Sequence, residues 1–311
     1  MRIVMMGTPD FAVPTLKAMV ENEYEVVGVF TQPDRPGGRG KKLQPPPVKV
    51  QAEAYGIPVF QPEKIRKDGV EALRTLQPDL CVTAAFGQIL SQELLDIPPM
   101  GCINVHASLL PKHRGSAPIA RAIMDGDPVT GVTTMWMDRG IDTGDMLLKA
   151  ETAIGATETC AELTERLSLL GAELLIRTLR ELEAGTLQRI PQREEDMTYD
   201  PMLNKELGRT DFRASAKSVR GLINGLNPWP CVSVPLGEGR LKLLRADLAE
   251  GSGEPGEVLA GSAAEGLVIA CGENAVRILE LQAPGGRKMR AEEYLRGHNL
   301  AVGTRLDEES V

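Results

Sequence analysis

The sequence lacks the features of a membrane-spanning or disulfide-stabilised protein. None of its apolar runs approaches the ~18 residues that a helix needs to cross a bilayer. Its five cysteines are an odd number, form no CxxC pair and lie mostly in apolar segments. We therefore expect reduced core cysteines instead of disulfides or zinc ligands, in a soluble protein with a cytoplasmic location.

The glycine-rich signature of dinucleotide-binding folds is also missing. At the first strand-to-helix turn, where that signature needs several glycines, the chain has only Gly7-Thr8-Pro9. A nicotinamide cofactor is therefore not expected, and Gly7 is explained by the reversal of the chain. The opening segment MRIVMMGTPDF predicts a strand and not a signal peptide, because its apolar part is too short and ends before Asp10.

The alternation of apolar segments predicts the fold class of the first part of the chain. With 311 residues and 42% hydrophobic content, the chain is long enough for about two domains. Alternating strands and helices predict an α/β domain with a Rossmann-like, doubly wound sheet. The predicted strands are Ile3–Met6, Val26–Thr31, Leu80–Ala84 and Cys102–Val105. The predicted helices are about Ala12–Glu21, Val48–Tyr55, Gly69–Thr75 and Ala117–Asp125.

The last third of the chain has a different pattern. After a long helical stretch, Cys160–Ala184, hydrophobic periodicity is lost, which predicts an exposed linker over residues 190–206. A helix over Asp211–Leu226 and short strands separated by glycines then predict a small C-terminal β-barrel of the oligonucleotide-binding (OB) type over residues 207–311. The alternative is a packing domain that only supports the first one.

Two polar residues stand at the end of an apolar strand in INVHASLLPKHRG, from Ile103 to Gly115. Asn104 and His106 are two apart, so their side chains lie on one face of the strand. In open parallel α/β sheets, ligands bind beyond the carboxyl ends of the strands, and an amide beside an imidazole suits a reaction there. The alternative is a pair of satisfied polar residues where the chain leaves the sheet.

A second polar segment, MDRGIDTGD, comes directly after the strand-like stretch Gly131–Trp136 and holds three aspartates among glycines. Asp142 is the best placed to reach an imidazole, whereas Asp138 and Asp145 suit the capping of their own turns. No serine or cysteine elbow accompanies them, which favours direct acyl transfer over a covalent acyl-enzyme. Asn104 and protonated His106 would donate to the oxyanion, and Asp142 would orient the imidazole and take part in proton transfer.

The charge distribution predicts one localised anion site. The net charge of −8 argues against indiscriminate binding to nucleic acid. A Gly- and Pro-rich stretch nevertheless contains no acid among its cations. These cations are Arg35, Arg39, Lys41, Lys42 and Lys49. We interpret the stretch as a loop that contacts a nucleic-acid backbone, and the alternative is a solvated, flexible loop.

A third strand exit, AAFGQIL from Ala84 to Leu90, is apolar and broken by a glycine. Such a segment suits a flat hydrophobic ring held by a few backbone hydrogen bonds. A strand-to-helix turn capped by a buried Phe86 explains the same residues.

Taken together, these motifs resemble the signature of the 10-formyltetrahydrofolate-dependent formyltransferases. The signature consists of Asn104-x-His106, SLLP at Ser108–Pro111, Arg114-Gly115 and Asp142-Thr143-Gly144. The likeness runs from MRIVMMGTPDFAVPTL at the start, through FTQPDRPGGRGKKL, to LNPWP at Leu226–Pro230, and so covers nearly the whole chain. His113 departs from the bulkier aromatic residue expected in many members, which affects only local loop packing.

The resemblance implies a reaction and its site residues. A formyl group would pass from 10-formyltetrahydrofolate to the α-amino group of initiator methionyl-tRNA, with catalysis by Asn104, His106 and Asp142 and without a metal. Residues 1–189 would be the catalytic domain and residues 207–311 a tRNA-binding domain, in a monomer that does not bind membranes. The implied folate-binding residues are Phe86, Gly87, Ile89, Leu90, Ser108, Leu109, Leu110 and Pro111. The implied residues for the tRNA acceptor arm are Arg35, Arg39, Lys41 and Lys42, with Arg39 the most telling.

Two other functions fit the same residues. The three catalytic residues would also serve formyl transfer to an amino sugar, or hydrolysis of formyl-folate. A non-catalytic nucleic-acid-binding module would use the Rossmann-like half only as a scaffold. The basic loop favours tRNA as the acceptor.

Overall fold

The computed structural model describes residues 1–37 and 42–306, and the contacts within the chain divide it into two compact units. The first unit comprises Met1–Gly115, Gly131–Thr152 and Thr164–Tyr199. The second comprises Ser116–Thr130, Ala153–Leu163 and the described chain from Asp200 onward. The last passage between the units, after Tyr199, falls inside the predicted linker 190–206.

Strands and helices alternate through the first 200 residues. The strands are β1 (Arg2–Gly7), β2 (Glu25–Phe30), β3 (Arg35–Gly37), β4 (Lys42–Gln44), β5 (Val59–Phe60), β6 (Leu80–Ala84), β7 (Cys102–His106), β8 (Arg114–Gly115), β9 (Val129–Trp136), β10 (Met146–Ala153) and β11 (Tyr199–Asp200). The helices are α1 (Val13–Glu21), α2 (Pro47–Ala54), α3 (Val70–Leu76), α4 (Gln92–Leu95), α5 (Pro118–Asp125) and α6 (Cys160–Glu183). Short 3-10 helices cover Asp10–Ala12, Glu194–Asp196 and Lys205–Gly208, and a π-helical turn covers Ile65–Gly69.

A seven-stranded sheet in the order β10-β9-β7-β6-β1-β2-β5 organises the first unit. Neighbours from β7 to β5 are parallel, and β6 is buried along its whole length, as expected for strands covered on both faces. This confirms the predicted Rossmann-like sheet. β9 runs antiparallel to β7, however, so the sheet is mixed on that side.

An antiparallel sheet forms most of the second unit. Its elements are α7 (Ala216–Gly225), β12 (Val232–Leu236), β13 (Gly239–Ala249), β14 (Val258–Ser262), β15 (Gly266–Ala270), β16 (Ala275–Gln282), β17 (Lys288–Arg290) and α8 (Ala291–Leu295). The strand order is β12-β13-β16-β15-β14, with β17 also on β16. Within the described residues no pairing joins β12 to β14, so the predicted OB-like barrel is a curled, open half-barrel.

Helix α7 packs on this sheet and, on another side, very closely on α5. Val219, Ile223 and Leu226 are at most 2% exposed and belong to one core with the inner strand residues. A Cβ atom at Gly221 would lie 2.8 Å from the Met124 carbonyl, and one at Gly225 would lie 2.8 Å from the Ala120 carbonyl. The two glycines, one helical turn apart, are therefore what lets α5 and α7 approach.

All five cysteines are free thiols and all but Cys160 are buried, as predicted for core residues. That they bind no zinc stays a prediction. Among the described helices, none combines the length and the apolar character required to cross a membrane.

The first turn of α6 is held by charged hydrogen bonds within the second unit. The Glu162 carboxylate accepts from the Thr159 backbone N–H at 3.0 Å and hydroxyl at 2.9 Å, and it pairs with Arg245 at 2.5 Å. Burial raises the pKa of Glu162, but the hydrogen bonds from Arg245 and Thr159 outweigh it and lower this pKa to about 2.

We expect Glu162→Gln to destabilise the chain at neutral pH and much less in acid. Because folding lowers this pKa from 4.5 to about 2, the stabilisation is complete above 4.5 and is lost as the pH falls through about 2. The side chain is 46% exposed, so solvent screening limits the effect to about 1 kcal/mol. Urea unfolding of both chains across this pH range measures it.

Glu165→Gln, an exposed position on the same helix, is the matched control. The capping network would be contradicted if the free energies of unfolding of Glu162→Gln and the unsubstituted chain differed by the same amount at every pH.

Candidate active site

Strand β7 presents Asn104 and His106 on one face, as the two-residue spacing predicts. In the sheet register Asn104 lies opposite Thr83 of β6, and His106 opposite Thr133 of β9. Their intervening neighbours, Ile103 and Val105, are at most 2% exposed and pack into the core. The strand therefore anchors the two polar side chains by burying the residues on either side of them.

The Asn104 amide is oriented by a hydroxyl on the neighbouring strand. Thr83 is 3% exposed, and its Oγ1 donates to Asn104 Oδ1 at 2.8 Å. No described residue accepts a hydrogen bond from the Asn104 amide nitrogen. Its two hydrogens are consequently available to an external acceptor, which is what an oxyanion-binding group needs.

The His106 ring has one nitrogen committed to the protein backbone. Nε2 lies 2.9 Å from the His113 carbonyl oxygen, which only accepts hydrogen bonds, so Nε2 carries a proton. Nδ1 lies 3.7 Å from Asp142 Oδ1. Proton exchange by the imidazole is therefore confined to Nδ1, the nitrogen that faces the carboxylate.

Asp142 reaches this position from a left-handed turn. Its φ is 54°, and its Oδ2 accepts the Gly115 backbone N–H at 2.8 Å, which leaves Oδ1 towards His106. A Cβ atom at Gly144 would lie 1.7 Å from the Trp136 carbonyl, so the turn requires a glycine there. The prediction that the loop brings Asp142 to the imidazole is confirmed.

For the other two aspartates of this loop, the prediction that they cap their own turns is confirmed for Asp138 and wrong for Asp145. Asp138 caps its own turn, because its Oδ1 accepts from the Gly140 N–H at 3.0 Å and the Thr143 hydroxyl at 2.6 Å. Asp145 accepts from Arg189 Nε at 2.9 Å in a partly exposed pair. Neither aspartate has a described bond to His106.

The SLLP segment is a packed turn. Ser108 is fully buried and donates to the Lys112 carbonyl at 2.7 Å, while the Ser108 carbonyl accepts from the Thr133 hydroxyl at 2.7 Å. Leu110 is also fully buried. Only Leu109 and Pro111 have partly exposed side chains, so these two residues are the ones through which the segment would offer apolar surface to a ligand.

The AAFGQIL segment divides in the same way. Phe86 and Leu90 are 4% and 5% exposed core residues, as the buried-cap alternative predicts. Gly87 is exposed and Ile89 is 67% exposed. The Phe86 carbonyl accepts from the Thr8 hydroxyl at 2.9 Å and from Gln32 Nε2 at 3.3 Å, which ties this exit to those of β1 and β2.

Part of the basic loop is a short hairpin. Arg35 and Lys42 lie on the antiparallel strands β3 and β4 and are exposed. Arg39 and Lys41 lie outside the described residues. Lys49 is not a free cation: its Nζ donates to Asp34 at 2.9 Å and to Gln61 Oε1 at 2.9 Å, so it anchors the base of the hairpin.

Two successive segments of the chain match the models of two domains of one family. Residues 1–179 match the model described as formyl transferase, and residues 202–299 match the model of the formyl transferase C-terminal domain. The chain belongs to the formyl transferase family. The family resemblance stated from the signature motifs is thereby confirmed.

Relatives of this formyl transferase cover nearly all of its length. A methionyl-tRNA formyltransferase of Geotalea daltonii is 52% identical over 307 residues, which cover 98% of each chain. An N-formyltransferase of Helicobacter canadensis, solved with folinic acid and dTDP-3-aminofucose, superposes with a TM-score of 0.68 at 17% identity and covers 92% of this chain and 99% of its own. HypX of Aquifex aeolicus, solved with tetrahydrofolic acid, has a TM-score of 0.65 at 21% identity. The match covers 95% of this chain and 47% of HypX. This chain therefore corresponds to about half the length of HypX.

These two solved structures show the shared fold alone.

Within its described residues, the formyl transferase has no group of three or more His, Cys, Asp or Glu side chains arranged to hold a metal ion. The metal-free reaction stays a prediction.

Thr83 is a site residue that the sequence motifs did not reveal, and a substitution can test whether it orients Asn104. We expect Thr83→Val to lower kcat of formyl transfer about three- to tenfold with KM unchanged, because one neutral hydrogen bond orients the Asn104 amide. Steady-state kinetics measure this, and Thr83→Ser, which keeps the hydroxyl, is the control. Equal losses in the two variants would argue against orientation by the hydroxyl.

Proposed function

We propose that this formyl transferase moves the formyl group of 10-formyltetrahydrofolate to the α-amino group of initiator methionyl-tRNA. The product is N-formylmethionyl-tRNA for translation initiation. The observation that carries the proposal is the meeting of Asn104, His106 and Asp142 in a chain that is 52% identical to a methionyl-tRNA formyltransferase over 98% of both lengths.

The folate supplies an activated formyl group, and its N10 leaves with a proton as the amine nitrogen forms the new amide. The amine has to be neutral to attack the formyl carbon. His106 Nδ1 and Asp142 Oδ1, 3.7 Å apart, are the groups that accept and return the proton. The free N–H groups of Asn104 donate to the oxyanion of the tetrahedral intermediate, and protonated Nδ1 adds a second donor.

The folate is proposed to bind along the two apolar strand exits. Gly87, Ile89, Leu109 and Pro111 have the accessible backbone or side chains for a flat ring and its amide hydrogen bonds. Phe86, Leu90, Ser108 and Leu110 are buried, so their part is to shape the two segments from beneath.

Exposed cations in both units support a tRNA acceptor. Arg35 and Lys42 lie on the exposed hairpin of the first unit. In the second unit a cavity of about 590 Å³ is bordered by the cations Lys205, Arg209, Arg240 and Lys242 and by Trp229, which is 49% exposed. Cations beside an exposed aromatic ring suit a sugar–phosphate backbone with an unpaired base.

The decisive test is formylation of charged initiator tRNA by the purified chain with 10-formyltetrahydrofolate. We expect formylmethionyl-tRNA to form, with much less product from charged elongator methionine tRNA or a nucleotide-linked amino sugar. Preferred formylation of the amino sugar, or hydrolysis of the folate without any acceptor, would replace the proposed function.

In the same assay, Asn104→Ala, His106→Ala and Asp142→Ala should each lower turnover by about a hundredfold or more, because each removes a group that acts on the transition state. Folding and tRNA affinity should stay unchanged. The double variant of His106 and Asp142 should lose less than the product of the single losses. Asp145→Asn, an aspartate of the same loop, is the control that should keep its activity.

The hairpin should act on tRNA alone. We expect Arg35→Ala and Lys42→Ala each to weaken tRNA binding and to lower the log–log salt slope by roughly one unit, because each lost phosphate contact releases about one counterion fewer. Titrations at several salt concentrations measure the slope. Lys17→Ala, an exposed cation on α1, should leave affinity and slope unchanged. Unchanged tRNA affinity and salt slope in the hairpin variants would contradict the assignment of the hairpin to tRNA binding.

A further inference from the structure

The segment after α6, which the sequence predicts as an exposed linker over residues 190–206, is mostly exposed over 190–199 but is hydrogen-bonded to the loops of the candidate site. Ile190 exchanges two backbone hydrogen bonds of 2.8 Å with Met146, at the end of the Asp142 loop. Eight residues later, Thr198 Oγ1 accepts the His113 N–H at 2.8 Å, and its carbonyl accepts the Arg114 N–H at 2.9 Å. Between these two anchor points lies Gln192.

Every hydrogen-bonding atom of the Gln192 side chain is directed at the loops that hold Asp142. Its Nε2 donates to the backbone carbonyls of Asp142 at 2.8 Å and Gly144 at 2.7 Å. Its Oε1 accepts from Arg114 Nε at 2.9 Å. Carbonyls only accept and a guanidinium only donates, so the amide fits in one orientation and not in the flipped one.

The second of these loops, at Arg114 and Gly115, binds the Asp142 carboxylate. Arg114 is 3% exposed, and its two terminal nitrogens pair with Glu194 at 2.9 and 3.2 Å. The next residue, Gly115, donates its N–H to Asp142 Oδ2 at 2.8 Å. Gln192 therefore links the backbone on which Asp142 stands to the backbone that fixes one of its oxygens.

We propose that Gln192 is a positioning residue for Asp142. By holding the Asp142 turn in place, Gln192 sets the distance between Asp142 Oδ1 and His106 Nδ1. The proposal deepens the proposed function and rests on it. Asp142 has a left-handed φ of 54°, a conformation that non-glycine residues adopt only when their surroundings enforce it. The two bonds from Gln192, to the Asp142 and Gly144 carbonyls, are contacts that hold this turn.

The test is a double-mutant cycle in formyl transfer. Gln192→Met keeps the length of the side chain and removes its three hydrogen bonds. We expect kcat to fall about tenfold with KM for both substrates nearly unchanged, and no further loss when Gln192→Met is added to Asp142→Ala. Gln188→Met, an exposed neighbour on the same segment, is the matched control and should keep its activity.

An unchanged kcat in Gln192→Met overturns the proposal, and so does the same fold-loss in the presence and absence of Asp142, which would mark a general structural role. If Gln192→Met does not fold, Gln192→Glu takes its place in the cycle. It keeps the shape and the Arg114 partner but sets a carboxylate oxygen against two carbonyls.

A readout without substrate separates this proposal from the proposed function. The 15N signal of His106 Nδ1 in the free protein should move in Gln192→Met and stay in Gln188→Met, because displacement of Asp142 changes the field at that nitrogen. A chain that shows this response but does not formylate methionyl-tRNA would refute the function and keep the positioning role. A chain that formylates methionyl-tRNA but does not show this response would support the function and refute the positioning role of Gln192.

Discussion

The hydrogen bond between His106 Nε2 and the His113 carbonyl, at 2.9 Å, is the constraint on which the site depends. It assigns a proton to one ring nitrogen and so leaves Nδ1 as the only atom of the ring that can gain or lose one. The carbonyl is itself held in place, because the His113 N–H donates to Thr198 and the residue adopts a φ of 58°. The proposed chemistry at Nδ1, opposite Asp142, depends on this backbone contact.

The sheet and the loops contribute different parts of the site. Strand β7 sets the spacing of Asn104 and His106, and the adjacent strand β6 supplies the hydroxyl of Thr83. Asp142 comes from a loop and is held by hydrogen bonds: its Oδ2 accepts from the Gly115 N–H, and its backbone carbonyl accepts from Gln192 Nε2. Groups on a rigid strand keep their geometry, whereas a loop carboxylate needs outside hydrogen bonds to do so.

Sequence reasoning found the residues whose placement is a local matter. Asn104 and His106 could be predicted from the period of two in a strand, and Asp142 from the glycines around it. The strands β1, β6 and β7 were predicted to within about a residue at each end, because their apolar runs are continuous. The half-barrel strands were predicted from their glycine spacing.

Features that depend on distant parts of the chain were missed. Thr83 faces Asn104 because of the register between two neighbouring parallel strands. Neither strand's own sequence indicates that register. Strand β5 has two residues, too few for a period, and the antiparallel direction of β9 is set by its connection. Gln192 lies in a charged stretch without periodicity, and the partners of its side chain, among them carbonyls 48 and 50 residues away, are distant in the sequence.

The protonation state of the His106 ring is the most direct test of this site, and 15N NMR of the free protein reads it out. The chain has three histidines, so single substitutions of His113 and His298 assign the spectrum. The structure predicts a protonated Nε2, and an Nδ1 signal that moves in Asp142→Asn while the Nε2 signal does not. A neutral ring with its proton on Nδ1 and a bare Nε2 would contradict the proposed chemistry, because the His113 carbonyl would then have no donor and Nδ1 could not act as the base.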